Sequence, residues 1–265
     1  MVERRVSFDA VTEKYDRVRH AYPPEAFQEL FAYLRERRPV PVPSVLEVGP
    51  GTGKATQGLL DAGARVTGVE LGSQMAAYLR AKFEGLDALR VVVSSFEDVD
   101  LPTGSFDAVF AATSFHWVDP AMRVTKTASL LAPSGVIAIM STVQVDAPTG
   151  NGYFERSQEI YAKYEETYDP GYVTPSPESA TAPEFAELAS SPLFTDAVCR
   201  RHRWDQTYTT AQYADLLRSY SNMQMMTETR RERLVAALCA LVDTEFGGVV
   251  VRPLVIVLSM ARLAG

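Results

Sequence analysis

The stretch VLEVGPGTGKAT, residues 45–56, sets Gly49, Gly51 and Gly53 at alternate positions directly behind the short apolar run VLEV. Glycines that close together let the chain adopt left-handed conformations other residues resist, and they keep side chains away from whatever lies against the backbone. A strand running into such a turn at the carboxyl end of a parallel sheet is where doubly wound α/β proteins bind ligands. The turn is not the dinucleotide fingerprint, because its spacing is G-x-G-x-G and Lys54 stands where the third glycine of G-x-G-x-x-G belongs. Nor is it a phosphate loop, since the four-residue gap before G-K-[ST] is missing.

Between Ser44 and Met140, short β-branched runs alternate with longer amphipathic ones, the pattern of a parallel sheet covered by helices. The expected strands are VLEV (45–48), RVTGVE (65–70), LRVVV (89–93), FDAVFAA (106–112) and GVIAIM (135–140). One helix is expected from Gly53 to about Gly63. The next starts at Ser73, carries Met75, Leu79 and Phe83 on one face and stops at Gly85. Asp119 and Pro120 predict the N-cap and first position of a third, running to about Leu131. Residues 143–192 are rich in proline and tyrosine and read as a lid, with Phe154, Tyr161, Tyr164 and Tyr168 as a packing stripe on a helical piece. Then LFTDAVCRRHRW (193–204) reads as a strand, Ala211–Tyr220 and Glu228–Phe246 as helices, and VVVRPLVIVLSMA (249–261) as one final strand.

Hydrophobic residues make up 46% of the 265, enough to bury a large core. Lys and Arg total 26 against 33 Asp and Glu, a formal charge of -7 with no long basic run, so nucleic acid is not an expected partner. Cys199 and Cys239 lie far apart without CxxC spacing, which argues against a zinc site and a disulfide framework. The opening MVERRVSFDA lacks an apolar signal core, and Val249–Ala261 is interrupted by Arg252 and Pro253 and too short to span a bilayer. The expectation is a cytoplasmic protein with no metal and no membrane contact, its oligomeric state left open.

Two acidic residues flank the turn. Glu47 lies inside the first strand, where a carboxylate is costly unless it meets a donor such as an ammonium group or neighbouring amides. Glu70 closes the second strand, where a carboxylate can accept from both hydroxyls of a free ribose. With these, EVGPGTG, SSFEDVDLP and FDAVFAATSFHWVDP resemble the class I S-adenosylmethionine-dependent methyltransferases, in particular the small-molecule branch that includes trans-aconitate methyltransferase. The resemblance is close over about residues 10–142 and holds in outline beyond. It implies a Rossmann-like α/β fold with a seven-stranded mixed sheet of order 3-2-1-4-5-7-6, helices on both faces and a helical lid. It also implies one methyltransferase domain over 1–265: an N-terminal cap (1–40), a cofactor-binding core (41–142), a lid insertion (143–192) and C-terminal strands and helices (193–265).

The implied cofactor is S-adenosyl-L-methionine. By position, Glu47 matches the family's first-strand acid, Gly49, Gly51 and Gly53 its cofactor turn, and Glu70 its ribose-binding acid, with Leu71 beside the adenine. Ser95, Phe96 and Glu97 match the adenine-edge loop, although many relatives have Asp where Ser95 stands. Ala111 and Ala112 match the segment facing the methionine moiety, and Tyr15 and Arg19 are candidates for its carboxylate, which a guanidinium pairs well. His116 is the candidate catalytic residue, as a base or as an imidazole that shapes the pocket. Trp117, Tyr220 and Ser221 are candidates for the substrate, a small-molecule methyl acceptor, and Arg203, Arg218, Met223, Met225 and Met226 for its surroundings.

The expected reaction is methyl transfer to an oxygen, carboxylate or hydroxyl, of a small metabolite. The alternatives are N-methylation, a cofactor-binding protein without catalysis and, disfavoured by the glycine spacing, a nicotinamide oxidoreductase.

Overall fold

A computed structural model of the chain describes residues 21–164 and 173–265. In chain order the elements are α1 (Pro24–Arg35), β1 (Ser44–Val48), α2 (Lys54–Asp61), β2 (Arg65–Glu70), α3 (Ser73–Lys82), β3 (Leu89–Val93), β4 (Phe106–Ala112), a 3₁₀ turn (Phe115–Trp117), α4 (Arg123–Leu130) and β5 (Leu131–Gln144). They continue as α5 (Tyr153–Tyr164), α6 (Pro183–Ser190), β6 (Phe194–Arg203), β7 (Gln206–Thr209), α7 (Thr210–Arg218), α8 (Ser221–Met225), α9 (Glu228–Glu245), β8 (Val249–Arg252) and β9 (Leu254–Leu263).

Seven strands form one mixed sheet in the order β3-β2-β1-β4-β5-β9-β6. Counting only strands of this sheet, that is the expected 3-2-1-4-5-7-6. The pairings of β1 with β2 and β4, of β2 with β3 and of β4 with β5 are parallel. β4 is buried along Phe106–Ala111 and β1 along Val45–Val48, as strands covered on both faces must be. Proline at the first position starts α1, which buries Ala26, Phe27, Leu30, Phe31 and Leu34 at helical spacing. The predicted face of α3 is buried at Met75, Leu79 and Phe83.

The chain folds into two compact units. Among the described residues, one comprises 21–143, 181–202 and 256–265, the other 144–164, 173–180 and 203–255. The first holds the parallel strands and a core built on Leu46, Val109, Phe115, Ile137 and Leu188. The second holds α5, α7, α8, α9 and the antiparallel ribbon β7–β8, around Tyr153, Tyr208, Tyr213, Leu217, Leu234, Leu238 and Val242.

Two expectations change. VVVRPLVIVLSMA is two strands: Pro253, which has no N–H for a ladder, separates β8 in the ribbon from β9 in the large sheet. Helix α4 begins at Arg123 instead of Pro120, because the Asp119 carboxylate accepts from the Ala121 amide and closes a separate turn first. Tyr161 and Tyr164 pack into the second core as expected, whereas Phe154 turns toward a cavity; Tyr168 lies outside the described residues. Among the described residues no helix is long and apolar enough to cross a membrane.

Candidate functional site

The carboxyl ends of β1, β2 and β4 meet around the glycine turn. Gly49, Gly51 and Gly53 have φ of 65°, 56° and 81°, all left-handed. Of these three, Gly51 is the one where an added Cβ would meet nothing within 4 Å among the described residues. At Gly49 it would stand 2.8 Å from Ser114 Cβ, and at Gly53 2.5 Å from the Phe83 ring. Two of the glycines thus admit the protein's own side chains, and the middle one leaves the backbone bare toward the crevice.

Glu70 fixes the edge of that crevice. Its Oε2 accepts from the Gly51 amide at 2.9 Å and its Oε1 from the Gly72 amide at 3.0 Å, so one carboxylate bridges the turns after β1 and β2. Leu71 follows it, half-buried.

Glu47 is 1% exposed, and the Thr56 hydroxyl donates to its Oε2 at 2.6 Å. Burial pushes its carboxyl up to about 8; the Thr56 hydrogen bond works against that shift and the charge of Glu70 adds to it. The donor that the sequence left unnamed is therefore a hydroxyl from the first turn of α2, nine residues on. A threonine facing back toward the strand was the available signal.

Along β3's exit, the Ser95 hydroxyl donates to Asp98 Oδ2 at 2.6 Å and accepts from the Asp98 amide, a local turn. Phe96 is buried, and Glu97 Oε1 accepts from the Asp119 amide at 3.0 Å. At the end of β4, Ala111 is buried and Ala112 half-buried. Thr113 then takes a φ of 53°, uncommon outside glycine, and its hydroxyl lies 3.2 Å from the Tyr22 hydroxyl. The Ser114 hydroxyl donates to the Val48 carbonyl and ties this turn to the end of β1.

His116 sits on the 3₁₀ turn with its ring 4.9 Å from that of Trp117. It keeps an exposed edge, yet the protein crowding the rest of the ring lowers its pKa; Glu184 opposes the shift and Arg123 adds to it. Arg123 is held by Glu187, through Nε to Oε1 at 2.9 Å and Nη2 to Oε2 at 2.8 Å, while its Nη1 reaches the Phe115 carbonyl. Helix α6 is thus fastened to the His116 turn, and its Glu184, 6% exposed, accepts from the Ser141 hydroxyl at 3.3 Å. Glu184 was not legible beforehand, because it lies 68 residues from His116 in a segment read as lid.

The first unit therefore gathers Glu47, Gly49, Gly51, Gly53, Glu70, Leu71, Ser95, Phe96, Glu97, Ala111, Ala112, His116 and Trp117. Tyr220 and Ser221 belong to the second: Tyr220 accepts from Arg252 and Ser221 opens α8. Arg203 and Arg218 there are paired with Asp205 and Glu232, and Met225 is exposed. Tyr15 and Arg19 lie outside the described residues.

The topology and the glycine turn are those of the class I methyltransferase fold. Residues 46–139 match the family model "Methyltransferase domain", and that segment is a methyltransferase domain. An uncharacterized methyltransferase of Mycobacterium bovis is 35% identical over 135 residues, 51% of each chain. A malonyl-[acyl-carrier protein] O-methyltransferase of Methylococcus capsulatus is 31% identical over 137 residues, 50% of this chain and 49% of that protein. The chain thus matches about half the length of these curated relatives. Among solved structures, a candidate type II methyltransferase from Anaeromyxobacter dehalogenans superposes with a TM-score of 0.61 at 18% identity, covering 92% of this chain and 97% of that one. Phosphoethanolamine N-methyltransferase 2 from Haemonchus contortus, solved with phosphomonomethylethanolamine and S-adenosylhomocysteine, gives 0.51 at 16% identity over 97% of this chain and 58% of its own.

Proposed function

We propose that this protein transfers the methyl group of S-adenosylmethionine to an oxygen, carboxylate or hydroxyl, of a small metabolite. The observation that carries the reading is the Glu70 carboxylate bridging the Gly51 and Gly72 amides beside the bare backbone at Gly51. A flat, hydroxyl-bearing nucleoside fits such an edge: Gly51 admits close approach, and a carboxylate at the end of the second strand is placed to accept from ribose hydroxyls. Leu71 and the Ser95–Glu97 loop would flank the adenine, Glu47 the amino group, Ala111 and Ala112 the methionine chain, with Tyr15 and Arg19 at its carboxylate.

When bound, the cofactor supplies a sulfonium methyl and its own leaving group. The chain's residues then align the acceptor and exclude water. His116, neutral because its pKa lies below the ordinary value, can take a proton from a hydroxyl acceptor, and the nearby Glu184 charge steadies the imidazolium that forms. A carboxylate acceptor is already ionised at neutral pH and needs no base. The O-methyltransferase of Methylococcus capsulatus favours oxygen as the methylated atom. On this reading the chain over 1–265 acts as a single methyltransferase domain.

Calorimetry with S-adenosylmethionine, S-adenosylhomocysteine and NAD tests the cofactor, and turnover against a metabolite panel tests the reaction. Binding of NAD in preference to the sulfonium overturns the reading. Cofactor binding with no turnover on any acceptor replaces it with a sensor.

A further inference from the structure

The second unit encloses a positive charge that meets no acidic partner among the described residues. Arg252, at the end of β8, donates through Nε to Gln144 Oε1 at 3.0 Å and through Nη1 to the Tyr220 hydroxyl, its guanidinium 5.8 Å from the centre of the Tyr220 ring. The phenols of Tyr161, Tyr208 and Tyr213 stand close enough to act on the same charge. Burial raises the pKa values of Tyr153, Tyr161 and Tyr213, so these are neutral phenols at physiological pH. They supply dipoles and no countercharge. Among the described residues no carboxylate pairs with Arg252, in contrast to Arg203 with Asp205 and Arg218 with Glu232.

The nest is also incomplete in hydrogen bonds. Nη2 of Arg252 has no acceptor among the described residues, and the Tyr153 hydroxyl is buried beside that of Tyr213. Arg252 keeps a fraction of its surface accessible although the surrounding phenols crowd it. Gln144 and Tyr153 also line a cavity of about 680 Å³ with Phe154, Gln158, Val251 and Pro253. That volume lies within the range of small-molecule sites.

We propose that this nest binds the carboxylate of a small organic acid. The Nη edge of a guanidinium presents parallel N–H donors that match two carboxylate oxygens, and a hydroxyl such as that of Tyr153 can donate to either. One guanidinium balances one negative charge, which suits a carboxylate better than a phosphate dianion. The tyrosine faces give the acid's carbon skeleton an apolar wall. That this acid is the methyl acceptor rests on the methyl-transfer reading; that it binds does not.

The test is calorimetry on the full chain with linear mono- and dicarboxylates of two to eight carbons, their uncharged amides, and inorganic phosphate. At least one acid is expected to bind about tenfold or more tighter than its amide and to raise the melting temperature of the wild type. Arg252→Gln is expected to abolish that preference, Tyr220→Phe to weaken it, and Arg218→Gln to leave it unchanged. Arg252→Met adds a readout independent of ligand: a buried charge awaiting an anion predicts an unliganded variant that melts no lower than wild type. Equal binding of acids and amides, tighter binding of phosphate, or full carboxylate affinity in folded Arg252→Gln would each overturn the site. If Arg252→Gln does not fold, the melting-temperature shift of the wild type and the Tyr220→Phe titration decide alone. Failure of S-adenosylmethionine to bind strikes the methyl-transfer reading and leaves this site standing.

Discussion

Glu47 and Arg252 are charged side chains carried into apolar surroundings, one in each unit, and they meet the cost in opposite ways. Glu47 accepts one hydroxyl hydrogen bond and, with its carboxyl raised to about 8, holds a proton at neutral pH. Arg252 has no such exit, because a guanidinium does not deprotonate in proteins. It spreads its charge over Gln144 and neutral phenols, and its Nη2 meets no acceptor among the described residues. A buried acid can wait for a cationic partner in discharged form; a buried arginine needs an anion throughout.

The largest test of that contrast is Glu47→Gln. The folded carboxyl titrates near 8 against an ordinary 4.5, so the folded chain keeps a proton that the unfolded chain has released between those values. The stability associated with this group is fully present below 4.5 and is lost as pH rises through 8. Glutamine removes the slope and is expected to stabilise the protein by on the order of 4 kcal/mol at pH 9, with little change at pH 4. Urea unfolding at the two pH values reads this directly, and an unchanged slope would mean that Glu47 is ionised in the fold.

Glu70 sharpens the comparison, being a carboxylate that meets two amides instead of one hydroxyl. Glu70→Ala is expected to weaken S-adenosylmethionine binding by about 1.5–3 kcal/mol, the cost of losing hydrogen bonds to a charged group. Unchanged affinity removes Glu70 from the cofactor site. Thr56→Val deletes the hydroxyl donor to Glu47 and is expected to cost about 1 kcal/mol, more at pH 9 than at pH 5, by the same unfolding measurement. The smallest effect concerns His116. The acid limb of kcat/KM is expected below pH 6.5, and Glu184→Gln, which removes a charge that raises the imidazole's pKa, should move it lower still. A limb that survives His116→Ala belongs to another group.

Much of this molecule is local and was legible in the chain. The strands 65–70, 89–93 and 106–112 fall where β-branched residues alternate with helical runs, and β1 begins one residue early. Gly49, Gly51 and Gly53 announced the turn, since left-handed φ at three alternate positions is open to little else. Pro253 was visible, yet its effect was not. A proline interrupts pairing, but which sheet each half joins is set by neighbours distant in sequence.

The sequence by itself determined the parallel α/β core, the glycine turn and the acids at its edges, because propensity, side-chain period and backbone sterics act over a few residues. Only the tertiary structure decided the partners of the charged groups: Thr56 for Glu47, Ser141 and the vicinity of His116 for Glu184, Gln144 and Tyr220 for Arg252. Partners such as Gln144, 108 residues from Arg252, meet only after chain closure, and no local period encodes a contact that packing alone brings together.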